Sequence, residues 1–341
     1  MLLPGRCLAD SHAHTVSFFS PFCHTQDSDP AFVPASQEFF IISDLDQASS
    51  VEGKKPNFRA VLQHGTLQYS AATHRFAVRW GEAHDILSPH NEAGRGMELS
   101  ELEVWNGKLY SCDDRTGILY EIMNPHGSNP AAVPRGIMME GNGDTSKGFK
   151  CEWMTVKDGH LLAGSFGKEY TNPDGSVKNR NNNWLKSFSP TLALTHVDWN
   201  AEFDAMRKKF GYEYPAYLLH ETGLWSSLRR QWLFMPRRVS KEPYTEDVDE
   251  RMGSNMVIVG DESMTSFTSF TAGKVVPTHG FSSAAWVPGS QQGIVLALKS
   301  EERAADEHQT TFIMAFDMQG NVLMEESEIP GNVKFEGLAF M

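Results

Sequence analysis

One pattern recurs five times along the chain, and it restricts the fold more than any other feature of the sequence. A strand-like run opens on Glu or Ser, with small or apolar residues two and four positions further on. In the first four cases a turn and a second strand follow, and that strand ends in a cluster of charges. The runs open at Ser100 (SELEV), Glu152 (EWMTV), Glu221 (ETGLW), Ser282 (SSAAW) and Glu336 (EGLAF). Successive starts lie 52, 69, 61 and 54 residues apart, about the length of a four-stranded propeller blade with its loops. Side chains alternate across a strand, so the opening polar group shares a face with core residues. The fifth run reaches the end of the chain without a partner strand. FFIISDLD at 39–46 supplies one, an apolar strand ending in charges that has no Glu/Ser strand before it.

These observations predict an all-β, five-bladed β-propeller closed by pairing of the N- and C-terminal strands, an arrangement that leaves no open sheet edge. The propeller is expected over residues 36–341. Residues 1–35, rich in Ser, His, Pro and Asp without periodicity, are expected to form an irregular arm. Asn106-Gly107 is a hairpin turn signal. One helix is predicted over 198–210, and the polar stretches 123–147, 171–197 and 241–270 read as long loops.

The inner strands of propeller blades line a central axis, so Ser100, Glu152, Glu221, Ser282 and Glu336 are expected to converge there. Three carboxylates cannot share a dry axis uncompensated. A hard cation with oxygen ligands resolves the conflict, and Ca2+, which takes 6–8 oxygens in flexible geometry, fits better than Mg2+. No Cys or His stands at the five positions, which argues against zinc or copper. The four cysteines, Cys7, Cys23, Cys112 and Cys151, form no CxxC pair. Their even number allows two disulfides, Cys7 with Cys23 for instance, or free thiols.

The charges at the strand ends would ring the mouth of the same channel. They comprise Asp44, Asp46, Asp113, Asp114, Arg115, Lys168, Glu169, Arg237, Arg238, Lys299, Glu301 and Glu302. Lys and Arg hold phosphate oxygens, a cation bridges phosphates, and a carboxylate orients or deprotonates water. Such a ring suits hydrolysis of a charged substrate. His220 and His279, beside axial positions, read as structural, and Trp225, Trp232 and Trp286 as blade packing. GNGDTSKG at 141–148 lacks the spacing and the strand-to-helix context of a phosphate loop. A net charge of −13 argues against nucleic acid or an anionic membrane as the main partner. No stretch approaches the roughly 18 apolar residues of a membrane span. The opening residues do not read as a signal peptide, so the chain is expected to be cytosolic, or a mature or truncated form.

The motifs GRGMELSEL, NGKLYSCDDRTG, KGFKCEW, LLHETGLWS, MPRRVS, VVPTHGFSS, ALKSEE and KFEGLAF resemble those of the calcium-activated nucleotidase/apyrase family. The likeness runs from about Phe39 to Met341. It implies a five-bladed propeller with a central Ca2+ and hydrolysis of nucleoside di- and triphosphates to monophosphate and phosphate. It also implies Ser100, Glu152, Glu221, Ser282 and Glu336 as calcium ligands. Asp44 of SDLD and Asp114 of CDDRTG would be the acidic groups that handle the attacking water. Asp46, Arg115, Lys168, Glu169, Arg237 and Lys299 would bind substrate. The family carries Trp after its GKE, a platform for the base, where this chain has Tyr170. Members are secreted or lie in the lumen of the secretory pathway, and this chain is expected there as a monomer or weak homodimer. Two other classes fit parts of the pattern: a non-catalytic, calcium-stabilised binding module, and a calcium-dependent lactonase or esterase. The basic residues at the mouth count against both.

Overall fold

The computed structural model describes residues 33–51, 53, 57–172, 174, 176–303 and 308–341, with nothing stated of the side chains of Arg303 and His308. The expected arm over 1–35 lies outside the described residues except for its last three, of which Val33 is buried in the core. Cys7 and Cys23 also lie outside them.

In chain order, β1 (Ser36–Ser43), β2 (Phe58–Ser70) and β3 (Arg75–Ser88) begin the first sheet. β4 (Leu99–Trp105), β5 (Lys108–Asp113), β6 (Ile118–Met123) and β7 (Ala131–Ile137) form the second. β8 (Trp153–Lys157) and β9 (His160–Gly164) start the third. A two-stranded hairpin, β10 (Tyr170–Thr171) with β11 (Val177–Asn179), precedes that sheet's outer strands β12 (Trp184–Phe188) and β13 (Leu194–Asp198). After helix α1 (Asn200–Phe210) comes the fourth sheet. It holds β14 (Tyr217–Ser226), β15 (Gln231–Ser240), β16 (Met256–Asp261) and β17 (Phe267–Thr271), with the short α2 (Glu246–Asp249) inside it. The fifth is β18 (Gly280–Trp286), β19 (Ile294–Arg303), β20 (His308–Asp317) and β21 (Val322–Glu328). β22 (Phe335–Phe340) returns to the first sheet and pairs antiparallel with β1, Phe39 opposite Phe340 and Ile41 opposite Leu338.

The innermost strands β4, β8, β14, β18 and β22 each pack on the next, and β22 packs on β4, so the five blades form a ring. Apolar cores fill the seams between neighbouring blades. Phe39 and Ile41 meet Leu296 and Leu298 across one seam, and Trp153 meets Trp232 and Phe234 across another. Each such buried side chain stabilises the ring by about 1.5–3 kcal/mol.

Asn106 (φ 51°) and Gly107 (φ 72°) both take the left-handed backbone that a two-residue hairpin turn needs. Helix α1 starts two residues later than predicted, because Asp198 ends β13 and its carboxylate accepts the Asn200 N–H. The helix buries Phe203 and Met206 and stops at Gly211 in the left-handed region. The stretches read as loops hold the blades' outer strands β7, β12, β13, β16 and β17, and β11 of the small hairpin.

Candidate functional site

Four of the five axial residues sit in β-bulges. In β4 the register jumps between Leu99 and Leu102, in β14 between His220 and Gly223, and in β18 between Phe281 and Ser283. In β22 the ladder passes from Phe335 to Gly337, leaving Glu336 unpaired. Glu152 stands one residue before β8, its N–H donated to the Gly164 carbonyl. A bulge inserts an extra residue and re-aims its side chain. This is the local reason that Ser100, Glu221, Ser282 and Glu336 escape the alternation of their strands. All five are buried.

Above them opens a cleft of about 830 Å³ lined by ten carboxylates and six cationic side chains. Glu152, Glu221 and Glu336 line it, together with Asp44, Asp46, Asp114, Arg115 and Arg237. The charges interlock. Arg237 donates to Glu221 and to Glu336 (3.0 Å) and pairs with Glu302 (2.8 Å). Lys334 reaches Asp44 (2.9 Å), Asp46 (2.8 Å) and Glu302 (2.7 Å). Lys150 bridges Asp114 and Glu152 (2.8 Å to the latter).

Carboxylates still outnumber cations, and the proton affinities follow. Burial pushes the Glu152 carboxyl up to about 8; Lys150 opposes the shift, and Glu221 and Asp114 add to it. Burial likewise lifts Glu336 well above the usual range and raises Glu221, against the pull of Lys334 and Arg237. Burial works on Glu302 too, yet Arg237 and Lys334 hold its carboxyl low. Burial disfavours charge on Arg237, but Glu221, Glu302 and Glu336 keep its guanidinium firmly protonated.

This donor set fits a hard cation. The five side chains offer three carboxylates and two hydroxyls, with no sulfur or imidazole among them. Glu152, Glu221 and Glu336 line the cleft, and Ser100 and Ser282 are not among its lining residues. The Ser100 Oγ is buried and makes no hydrogen bond, whereas the Ser282 Oγ donates to the Phe335 carbonyl at 3.2 Å.

Other sequence-predicted residues lie off the cleft. Lys168 and Glu169 line a small neighbouring pocket with Tyr217 and Tyr244. Glu169 is held by Arg207 (2.8 and 2.9 Å). Tyr170 packs edge-on against Phe166, a cleft residue, and its hydroxyl accepts from Lys147 (3.0 Å). Lys299 is buried over the Phe281 ring and pairs with Glu326 at 3.0 Å. His220 is buried among Phe203 and Phe234, and burial lowers its ring to about 3, as a structural imidazole requires.

The structure adds residues that the strand-end charges do not include. Lys150 and Lys334 each stand two positions before an axial Glu, in KCE and KFE; that shared spacing was the available signal. Arg95 pairs with Glu98 (2.5 Å) and Asp46 (3.1 Å) at the same mouth. Cys112 and Cys151 form a disulfide joining the second blade to the third. Asp114 follows one cysteine by two residues, and Lys150 and Glu152 flank the other, so the crosslink fixes the segments that meet through Lys150.

A family model described as apyrase matches residues 45–341. Mouse "soluble calcium-activated nucleotidase 1" is 41% identical over 302 residues, covering 88% of this chain and 73% of that protein. "Apyrase apy-1" of Caenorhabditis elegans is 38% identical over 303 residues, covering 88% and 83%. An apyrase of Cimex lectularius is 34% identical over 304 residues, covering 88% and 81%.

Proposed function

The chain belongs to the apyrase family and is a nucleotide phosphatase, and we propose that its axial cleft cleaves nucleoside di- and triphosphates to monophosphate and inorganic phosphate with the help of calcium. The observation that carries this reading is the charge arrangement of the cleft. Buried carboxylates in excess call for a cation, and two buried cationic side chains, Arg237 and Lys334, and the half-buried Lys150 stand among them. The name of the mouse relative, calcium-activated, supports Ca2+ as that cation.

Ser100, Glu152, Glu221, Ser282 and Glu336 would hold the ion, which supplies positive charge for the axial carboxylates and for phosphate oxygens. With those carboxylates satisfied, Arg237, Lys150 and Lys334 are free to turn to the phosphates, Arg237 in two-point geometry. Asp46 and Arg115 line the approach. Asp44 and Asp114 orient the attacking water and accept its proton. Water attacks the terminal phosphorus; a P–O bond forms as the bridging P–O bond breaks, and the leaving group is the nucleotide shortened by one phosphate. Tyr170 beside Phe166 is the aromatic surface assigned to the base, with Lys168 and Glu169 behind it. Lys299, neutralised by Glu326, is assigned no substrate contact. The Cys112–Cys151 disulfide supports an oxidising compartment, secreted or luminal.

Phosphate release from ADP, GDP, UDP, ATP and GTP, each with Ca2+, Mg2+ or excess chelator, tests the proposal. Release is expected with calcium and not with chelator. No release from any of the five by folded protein in calcium would overturn it.

A further inference from the structure

A second group of oxygens converges beside the axial set. Asp44 follows β1, Glu98 precedes β4 and Asp114 follows β5. Each contributes one carboxylate oxygen to a group whose members all lie within 4.8 Å of one another, and all three residues are buried. Opposite ligands on a cation with metal–oxygen distances of about 2.3–2.6 Å lie about twice that far apart, so one ion can touch all three.

Acidic clusters often do no more than hold each other's arginines and lysines. Here a second observation points to a ligand. Asp114 is only 6% exposed, yet its Oδ1 is buried and has no hydrogen-bond partner. An anionic oxygen withdrawn from water without a partner is costly, and a cation removes that cost. Arg95 fixes Glu98 through both of its oxygens (2.7 and 2.5 Å), but a carboxylate has about four acceptor sites, and those facing Asp44 and Asp114 remain available.

We propose that Asp44, Glu98 and Asp114 form a second divalent-cation site at the mouth of the cleft, separate from the axial set, that takes Ca2+ or Mg2+ with water and a substrate phosphate oxygen completing its shell. The two sites are linked. Lys150 spans Asp114 and Glu152, and Lys334 spans Asp44 and, at 3.6 Å, Glu336. Each lysine therefore holds one carboxylate from either group. Ions that bind these carboxylates compete with the lysines for them and release the amino groups toward the phosphates. Metal ions bridging attacking and leaving oxygens are a recurring device in phosphate hydrolysis.

The proposal does not depend on the axial site, and calcium stoichiometry separates the two. Equilibrium binding of Ca2+ alone would be measured on the full chain as wild type, Glu98→Gln and Glu336→Gln, with circular dichroism as a check on folding. Two ions per wild-type chain and one in Glu98→Gln is the expected result. A single ion, lost in Glu98→Gln and kept in Glu336→Gln, would retain this site and remove the axial one. Equal stoichiometry in Glu98→Gln and wild type would overturn the proposal, as would no calcium binding by wild type. If Glu98→Gln does not fold, Asp44→Asn carries the same test.

Discussion

Arg237 lies among three carboxylates, Glu221, Glu302 and Glu336. Removing one member of a buried charge cluster strands the rest, typically at a cost of 3–5 kcal/mol. Arg237→Met is therefore expected to lower the stability of calcium-free protein by about that much, with a larger calcium-induced rise in Tm than wild type shows. Thermal denaturation in chelator and in calcium measures both; a variant as stable as wild type in chelator contradicts the account. Lys186 behaves differently. It is fully buried, with its Nζ on the Gly141 carbonyl and the His196 Nδ1 (3.0 Å to the latter), and burial lowers its amino group to about 8. The unfolded chain, near the ordinary lysine value of about 10.4, binds more protons than the folded one between these values. Its contribution to stability should rise with pH from about 8 to about 10.4. Urea titrations across this range should give a flatter pH profile for Lys186→Met, and an unchanged slope would contradict the assignment. That Glu152, Glu221 and Glu336 would be buried beside one cleft was legible because polar groups at core-facing strand positions are costly, so a repeat of them demands a reason. Lys150 and Lys334 were not, because they stand before the axial carboxylate instead of at the strand ends where charge recurs.

Inner strands could be read at the element scale and outer strands could not. β4, β14 and β22 are buried along nearly their whole length, and their apolar residues punctuated by Glu and Ser recur from blade to blade. β7 and β13 are half-exposed or exposed at every residue, and such strands carry no alternation to detect. The bulges were hidden too: a one-residue register shift has no compositional mark. The disulfide was one of several pairings the cysteine count allowed, and only the meeting of the second and third blades selects Cys112 with Cys151. Its cysteines are 39 residues apart, and loop-closure entropy assigns such a crosslink about 4 kcal/mol. Cys112→Ala/Cys151→Ala should lose stability of this order in chemical denaturation without reductant. It should also lose phosphatase activity, because Asp114 and Glu152 sit beside the two sulfurs. Unchanged stability and activity would show that the crosslink fixes neither ring nor site.

The whole molecule is a ring, and its first sheet takes strands from both ends of the described chain. Deleting residues 335–341 removes β22 and Glu336 together, leaving the inner edge of β1 unpaired. The truncated protein is expected to aggregate or to lose cooperative unfolding, observable by size-exclusion chromatography and calorimetry; a monodisperse protein with wild-type unfolding would contradict the ring's dependence on β22. The innermost strands that close the ring stand where the buried Glu152, Glu221 and Glu336 line the charged cleft. The most direct test is phosphate release from GDP as a function of free Ca2+, in wild type and Glu152→Ala. The account predicts saturable calcium activation in wild type and its loss in the folded variant. Equal release by both at every calcium level, chelator included, would contradict it.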